Sequence, residues 1–417
     1  ISRYLMLAGC ISILHPVLLS AGEDPCGKAA ALLARQNSTI RRFVMDNGMI
    51  CLVKQDRSAP VVAVQIWVGT GSTHEEEYLG AGISHAVEHM IFKGTKKRGP
   101  TDISREINGA GGSVNAYTSF DRTVFHAEMP SARWETGLDV LSDAVMNSVF
   151  PEDEWKREKE VIIREIARSR DNPDDVVGKA LWRTAFTVHP YRFPVIGFEE
   201  ILSGIAKKDL LAFFTKHYVP DNMITVVVGD IDQADAEKSV RKTFDGFKRR
   251  ARAPVILPRE PPQLSARYNR ITGEYNVSRL EIAFHTVPLS HTDMPALDVL
   301  AKIVGHGMSS RLNVRIRENM RVAHETGAGS FTLKDAGIFN IYATFAPSNE
   351  TAAVSAVKDE IASWIRQDFS RDEIDKARRI MVSQEITPMQ TMDGQAYSLG
   401  SGEFYAANPR FSETYLK

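Results

Sequence analysis

The sequence predicts an α+β fold made of two related mixed α/β domains, each a largely antiparallel sheet covered by helices. Strand and helix patterns alternate from about residue 40 onward, and the order of elements in the second half resembles that in the first. Residues 249–264 separate the halves and hold four prolines without apolar periodicity, which predicts an extended linker. A chain of 417 residues, 43% hydrophobic and 25% charged, is long enough for two such domains.

The first half begins with a predicted hairpin, because the turn-forming Asp46-Asn47-Gly48 separates two short β-rich runs. Thr101 or Asp102 caps the start of a short helix, and three glycines between residues 109 and 112 end it. Pro151 is typical of a helix start and opens a long charged helix. The predicted elements are strands 43–45, 49–53 and 61–68, a helix after the turn at 80–82, helix 101–108, strands 113–118 and 124–129, helices 134–148 and 151–170, strand 223–229 and helix 233–244.

The second half repeats part of this order and is shorter. Its predicted elements are strand 279–286, helix 295–305, strands 326–333 and 338–345, and helix 351–367. We therefore predict a first domain over residues 40–248, a linker over 249–269 and a second domain over 270–417. The closing part of that second domain is expected to lie beyond residue 417.

Charge and cysteine content exclude several functions. A net charge of −1 gives no electrostatic basis for binding nucleic acid or an anionic membrane. The three cysteines form neither a disulfide framework nor a cysteine-rich zinc site. A metal site in this chain must therefore use histidine and carboxylate ligands.

The N-terminus is apolar from Leu5 to Ala21, too short for a comfortable membrane span, and polar residues follow it. We predict a secretory signal peptide over residues 1–21, a leader over 22–39, and a location in the periplasm or cell envelope. A retained anchor helix is the alternative. Residues 7–10 also resemble a lipoprotein cleavage box, but the apolar run continues past Cys10 and argues against that interpretation.

The most informative motif is HAVEH, in which His85, Glu88 and His89 have the spacing H-x-x-E-H. Helix positions i and i+4 lie one turn apart on one face, so both imidazoles can bind one metal ion while Glu88 reaches a water beside it. This is the inverse of the H-E-x-x-H zinc motif and leaves the same chemistry available. The alternative is an ordinary amphipathic helix, but no other two of the 11 histidines are four residues apart.

Zinc needs a third ligand, and the predicted helix after Pro151 supplies two candidates. Glu158 and Glu165 are seven residues apart and hence share a helix face. One can bind the metal while the other orients a metal-binding histidine. The pattern alone leaves open which does which, and a solvated charged helix is the alternative.

Several segments in order resemble one known family. HAVEH is followed 76 residues after His89 by Glu165 in EKEVIIREI, and MDNGMICLV, GGSVNAYTSFDRTVF, HPYRFPVIG and GMSSRLNVRIRE also match. The chain resembles the pitrilysin, insulin-degrading enzyme and mitochondrial processing peptidase family of inverted-motif zinc metallopeptidases, most of all its small bacterial two-domain members. The resemblance implies one Zn²⁺ per chain, bound by His85, His89 and Glu165.

The resemblance also implies the roles of further residues. Glu88 would be the general base and Glu158 the carboxylate behind the metal ligands, while Asn115 and Ala116 would hold the backbone of a peptide substrate. An edge strand can do this largely independently of substrate sequence, because its unpaired N–H and C=O groups bind an extended peptide as a further strand. We expect a zinc endopeptidase acting on short or unfolded peptides.

The chain departs from the family at a second substrate-binding pair. The family places an Arg and, seven residues later, a Tyr in the second domain type; Arg317 matches the Arg, but His324 stands at the Tyr position. The glycine usual two or three places earlier is replaced by Arg321 or Val322. Family members enclose a chamber with four domains, so two domains form half of that clamshell. We expect a homodimer, or a heterodimer with a related subunit that supplies Arg and Tyr. The alternative function is a non-catalytic structural or peptide-binding subunit of the same fold.

Overall fold

The computed structural model describes residues 24–252 and 254–416 and contains two sheets. The strands are β1 (Arg41–Val44), β2 (Ile50–Gln55), β3 (Val61–Val68), β4 (Ser113–Thr118), β5 (Thr123–Pro130), β6 (Met223–Gly229), β7 (Ser278–Thr286), β8 (Glu325–Thr332) and β9 (Gly337–Phe345). The helices are α1 (Pro25–Gln36), α2 (Ile83–Ile91), α3 (Asp102–Gly109), α4 (Trp134–Asn147), α5 (Glu152–Asp171), α6 (Pro173–Ala185), α7 (Glu199–Leu202), α8 (Lys207–His217), α9 (Gln233–Phe244), α10 (Met294–Gly305), α11 (Glu350–Trp364), α12 (Arg371–Ile386), α13 (Met392–Ala406) and α14 (Phe411–Tyr415).

The first sheet has the strand order β1-β2-β6-β3-β5-β4. Its strands pair antiparallel except β2 with β6, which are parallel. Five helices, α4 to α8, separate β5 from β6 along the chain. The strand β4 pairs with β5 alone and so forms one edge of this sheet. The α+β prediction is confirmed.

Alternation along β3 shows how the first sheet is covered on both faces. Val62, Val64 and Ile66 point into a large core shared with α2, α4, α5 and α8. The intervening Ala63 and Trp67 point to the opposite face, as the two-residue period of a strand requires, and there they pack against α13. The metal-motif helix α2 therefore lies on one face and α13 on the other.

The second sheet has the order β7-β9-β8 and is wholly antiparallel. Residues of α10, α11 and α12 form its core together with alternate residues of β9. The chain between Arg249 and Ser278, which includes the predicted linker, has no helix or strand among its described residues. The helix α13 then returns to the first sheet, so residues assigned to the second domain also cover the first.

The domain boundaries stay a prediction. In the predicted leader, α1 packs against residues near α12 and α14 through Ala29, Ala30 and Leu33. The predicted signal peptide lies outside the described residues. Within the described ranges, no helix combines the length and the apolar character that crossing a membrane requires.

Candidate metal centre

The helix α2 is fixed by its apolar face and by a buried carboxylate at its start. Glu75 accepts hydrogen bonds from the backbone N–H of Gly82, at 3.2 Å, and of Ser84, at 3.0 Å, which satisfies donors at the helix N-terminus. Burial raises the pKa of Glu75 to about 8, although these hydrogen bonds oppose the shift. Gly82 has φ of 66° in the left-handed region and lies against the carbonyl of Ile196, so a side chain there would clash. The apolar residues Ile83, Ala86, Val87, Met90 and Ile91 are fully buried.

The facing side of α2 carries the histidines, and α5 packs beside it. Trp155, Ile162 and Ile166 bury the inner side of α5 in the same core. Glu158 and Glu165 are then presented to α2, because they lie seven residues apart on one face of α5. The two helices thus bring the predicted ligands together.

Three ligand atoms converge between these helices. Glu165 Oε2 lies 4.0 Å from His85 Nε2 and 3.8 Å from His89 Nε2. One atom from each of the three residues lies within 4.8 Å of the other two. The two imidazole rings are 4.6 Å apart at an interplanar angle of 66°, so their planes do not stack. Among the described residues, this is the one group of His, Cys, Asp or Glu with such an arrangement.

The group has the donor chemistry of a zinc site with an open position. Two imidazole nitrogens and one carboxylate oxygen are the ligands of several catalytic zinc sites. Burial, and then the neighbouring charge of His89, lowers the pKa of His85 to about 3, which leaves it neutral and able to donate a lone pair to a metal. His85 Nδ1 is buried without a hydrogen-bond partner among the described residues.

Glu158 takes the second of the two roles that the sequence left open, next to a metal-binding histidine. Its Oε2 lies 3.1 Å from His89 Nδ1, on the side of the ring away from Glu165. Its Oε1 lies 2.7 Å from Lys93 Nζ. Burial favours the neutral acid, but the hydrogen bonds from Lys93 and His89 outweigh it and lower the pKa of Glu158. Lys93 was missed in the sequence, although its position four residues after His89 places it near the same helix face.

Glu88 lies beside this group and is also buried. Its Oε2 accepts a hydrogen bond of 2.6 Å from the hydroxyl of Thr118, the last residue of β4. Burial raises the pKa of Glu88, and the hydrogen bond from Thr118 partly opposes this. Thr118 was likewise missed, because only the meeting of a strand end with α2 brings the two side chains together.

The edge strand β4 runs past the centre. Asn115 is exposed, and its side-chain Oδ1 accepts a hydrogen bond of 2.9 Å from the backbone N–H of Ala116. That N–H therefore points away from β5, towards the unpaired edge. A peptide added at this edge would meet it directly.

A cavity of about 620 Å³ opens beside Glu165. Its apolar wall includes Phe120, Trp182 and Phe193, and its basic groups include Arg168 and Lys179. Nothing in the sequence pattern indicated this cavity, because its walls come from separate segments of the first half.

The contacts of Arg317 and His324 that the structure shows are with residues of the second half of the chain. Arg317 is partly exposed and is 3.8 Å from its neighbour Glu318, while the backbone N–H of His324 donates to the carbonyl of Thr344 at 2.7 Å. Within the described part of the chain, no hydrogen bond or ion pair joins either side chain to the histidines of α2. Arg321, one of the two residues at the position of the family's glycine, has φ of 54°, a left-handed conformation that glycine adopts without strain.

Comparison with known proteins agrees with this fold. Residues 50–198 match the family model described as insulinase (peptidase family M16), and residues 204–381 match the peptidase M16 inactive domain. An uncharacterized zinc protease of Rickettsia bellii is 30% identical over 80% of this chain and 80% of its own length. The chain belongs to peptidase family M16. The resemblance to small bacterial members of that family is confirmed.

Further relatives extend the match to most of this M16 chain. The uncharacterized zinc protease YmxG of Bacillus subtilis is 28% identical over 87% of this chain and 88% of its own length. A protease structure from Helicobacter pylori has a TM-score of 0.82 at 23% identity, covering 90% of this chain and 94% of that chain. A peptidase M16 inactive domain structure from Pseudomonas fluorescens has a TM-score of 0.83 at 20% identity, covering 90% of each chain. These two structures support the fold alone.

Proposed function

We propose that this M16 protein is a zinc-dependent endopeptidase that hydrolyses short or unfolded peptides. The observation that carries the proposal is the convergence of His85, His89 and Glu165 within 4.8 Å, with Glu88 beside them at an unpaired sheet edge. A structural zinc site is typically closed by four protein ligands, whereas three leave a position for a reacting molecule.

Different residues of the chain have different roles in hydrolysis. When bound, zinc supplies the Lewis acidity that activates a water molecule and polarises the scissile carbonyl. Glu88 takes a proton from the water and returns it to the leaving amine. Glu158 and Lys93 hold His89 in the orientation in which Nε2 faces Glu165. No covalent bond to the protein forms in this scheme.

Substrate binding follows from β4 and the cavity beside it. The outward N–H of Ala116 and the side chain of Asn115 pair with the backbone of an extended peptide, which joins the sheet at its free edge. A folded protein cannot present such a strand, so the substrate class is short or unfolded peptide. The cavity beside Glu165 receives a substrate side chain.

We further propose that a second subunit completes the site, either another copy of this chain or a related chain that carries Arg and Tyr. Donors directed at the oxyanion contribute about 2.7–4 kcal/mol each in enzymes where they have been removed. Among the described residues Arg317 and His324 make their contacts with Glu318 and Thr344 and form no hydrogen bond or ion pair with the α2 histidines, which supports a partner as the source of such donors. The proposed location is the periplasm or cell envelope, on the basis of the apolar N-terminus.

The test is cleavage of an internally quenched, unstructured peptide by the zinc-loaded protein, alone and with any related chain that copurifies. We expect cleavage that a chelator abolishes and that Glu88→Gln reduces by several orders of magnitude while zinc stays bound. Bound zinc without Glu88-dependent cleavage in either preparation would instead support a non-catalytic, peptide-binding subunit. Full activity of the chain as a homodimer would rule out the heterodimer.

A further inference from the structure

The hydroxyl of Thr118 occupies a specific place in a chain of hydrogen bonds behind Glu88. Thr118 Oγ1 is 2.6 Å from Glu88 Oε2 and 3.3 Å from Thr123 Oγ1, its partner across the β4–β5 hairpin. Thr123 in turn donates its hydroxyl hydrogen to the carbonyl of Thr70, at 3.0 Å. An ionised carboxylate has no hydrogen to donate, so the hydroxyl of Thr118 is the donor in its bond to Glu88.

Fixing one oxygen of the Glu88 carboxylate also orients the other oxygen. A glutamate side chain loses considerable rotamer entropy when it is fixed, and a general base works only when its oxygen lies within hydrogen-bond reach of the proton it removes. The bond from Thr118 fixes Oε2 and so orients Oε1, which leaves that oxygen available for the water.

The position of Thr118 is itself fixed by contacts from both halves of the chain. In the hairpin turn that follows it, Asp121 accepts hydrogen bonds from the backbone N–H of Lys334 and from the hydroxyl of Tyr191, both at 3.1 Å. Arg122 donates to the hydroxyl of Tyr397 on α13, at 3.0 Å. Both turn residues are buried, so the end of β4 is held from two sides.

We propose that Thr118 is a positioning residue for the general base, because its hydroxyl fixes the Glu88 carboxylate. This inference rests on the proposed peptidase function. It predicts an effect on the chemical step and not on substrate binding or on the metal. The methyl group of Thr118 has no part in it, so serine should replace threonine.

The experiment measures kcat and KM for an internally quenched, unstructured peptide, together with the zinc content, for the zinc-loaded protein in the assembly in which wild type is active. Thr118→Val should lower kcat about 10- to 100-fold, the effect of losing a hydrogen bond to a charged group, with KM within about twofold and zinc content unchanged. Thr118→Ser should retain kcat within a few-fold of wild type. Thr332→Val is the matched control, since Thr332 is the last residue of the edge strand β8 and is half-buried like Thr118.

The outcomes separate this inference from the proposed function. If wild type cleaves in a Glu88-dependent manner but Thr118→Val has the same kcat as Thr332→Val, the role of Thr118 alone is overturned. Equal losses in Thr118→Ser and Thr118→Val would overturn it as well, because they would assign the effect to the methyl group. Zinc-loaded wild type without cleavage would overturn both proposals. If Thr118→Val does not fold, Thr118→Ala compared with Thr118→Ser makes the same distinction.

Discussion

Replacing Glu158 by glutamine tests how the site holds its metal. The Glu158 carboxylate joins His89 Nδ1, at 3.1 Å, to Lys93 Nζ, at 2.7 Å. Glutamine has a similar shape and can still accept a hydrogen bond from His89, but it has no charge to balance Lys93 or to increase the basicity of the imidazole. Zinc affinity should therefore fall although all three ligands are intact.

The expected magnitude follows from the asymmetry between the two histidines. His85 Nδ1 has no partner among the described residues, so Glu158 is the one carboxylate behind this histidine pair. Loss of such a partner typically costs 10- to 100-fold in metal affinity, or about 1.4–2.7 kcal/mol. The expected value is a zinc dissociation constant raised by that factor at fixed pH and ionic strength.

A competition titration against a chromophoric chelator measures this constant. Glu160→Gln is the matched control, because Glu160 lies on the same helix with 75% of its side chain exposed and pairs only loosely with Arg164, at 3.8 Å. The zinc affinity of Glu160→Gln should equal that of wild type. Equal affinities for Glu158→Gln and Glu160→Gln would refute the role assigned to Glu158.

Two further predictions concern stability. A Cβ at Gly400 would lie 2.4 Å from the indole of Trp67, whereas one at Gly178 would meet nothing within 4 Å. In urea titrations, Gly400→Ala should therefore have a free energy of unfolding about 1–3 kcal/mol lower than Gly178→Ala. Equal values would contradict the packing of α13 on the first sheet. The Glu260 carboxylate accepts hydrogen bonds from the backbone N–H groups of residues 187–189, which lowers its pKa from 4.5 to about 2 despite burial. The stability that these bonds contribute is present above pH 4.5 and is lost as pH falls towards 2. Unfolding midpoints between pH 5 and 2 should therefore decline more steeply for wild type than for Glu260→Gln, and parallel curves would contradict this role of Glu260.

Much of the fold could be predicted because its strands are buried and regular. The bounds of β3, β4 and β6 agree with the sequence to the residue, since β-rich runs end at clear turn signals. The helix α13 gave no such signal. Its apolar residues face the first sheet, but Glu403 is also buried, where it pairs with Arg42 at 2.9 Å, so the helix has no single apolar face.

Local spacing likewise predicted some residues of the candidate site, whereas others depended on tertiary packing. Helical spacing was sufficient for the two histidines and for the base between them. Spacing alone could not separate Glu158 from Glu165, since both lie on one face of α5; only the packing of α5 against α2 directs one carboxylate to Nδ1 and the other to Nε2. Such contacts between distant segments leave no periodic trace in the sequence.

The most direct test of the central claim is a crystal structure of the zinc-loaded protein, with diffraction measured at the zinc absorption edge. We expect one anomalous peak per chain, within about 2.0–2.2 Å of His85 Nε2, His89 Nε2 and a carboxylate oxygen of Glu165. Glu88 should lie close to the open position without binding the ion. A peak ligated by Glu158 in place of Glu165, or located away from α2, would contradict the account.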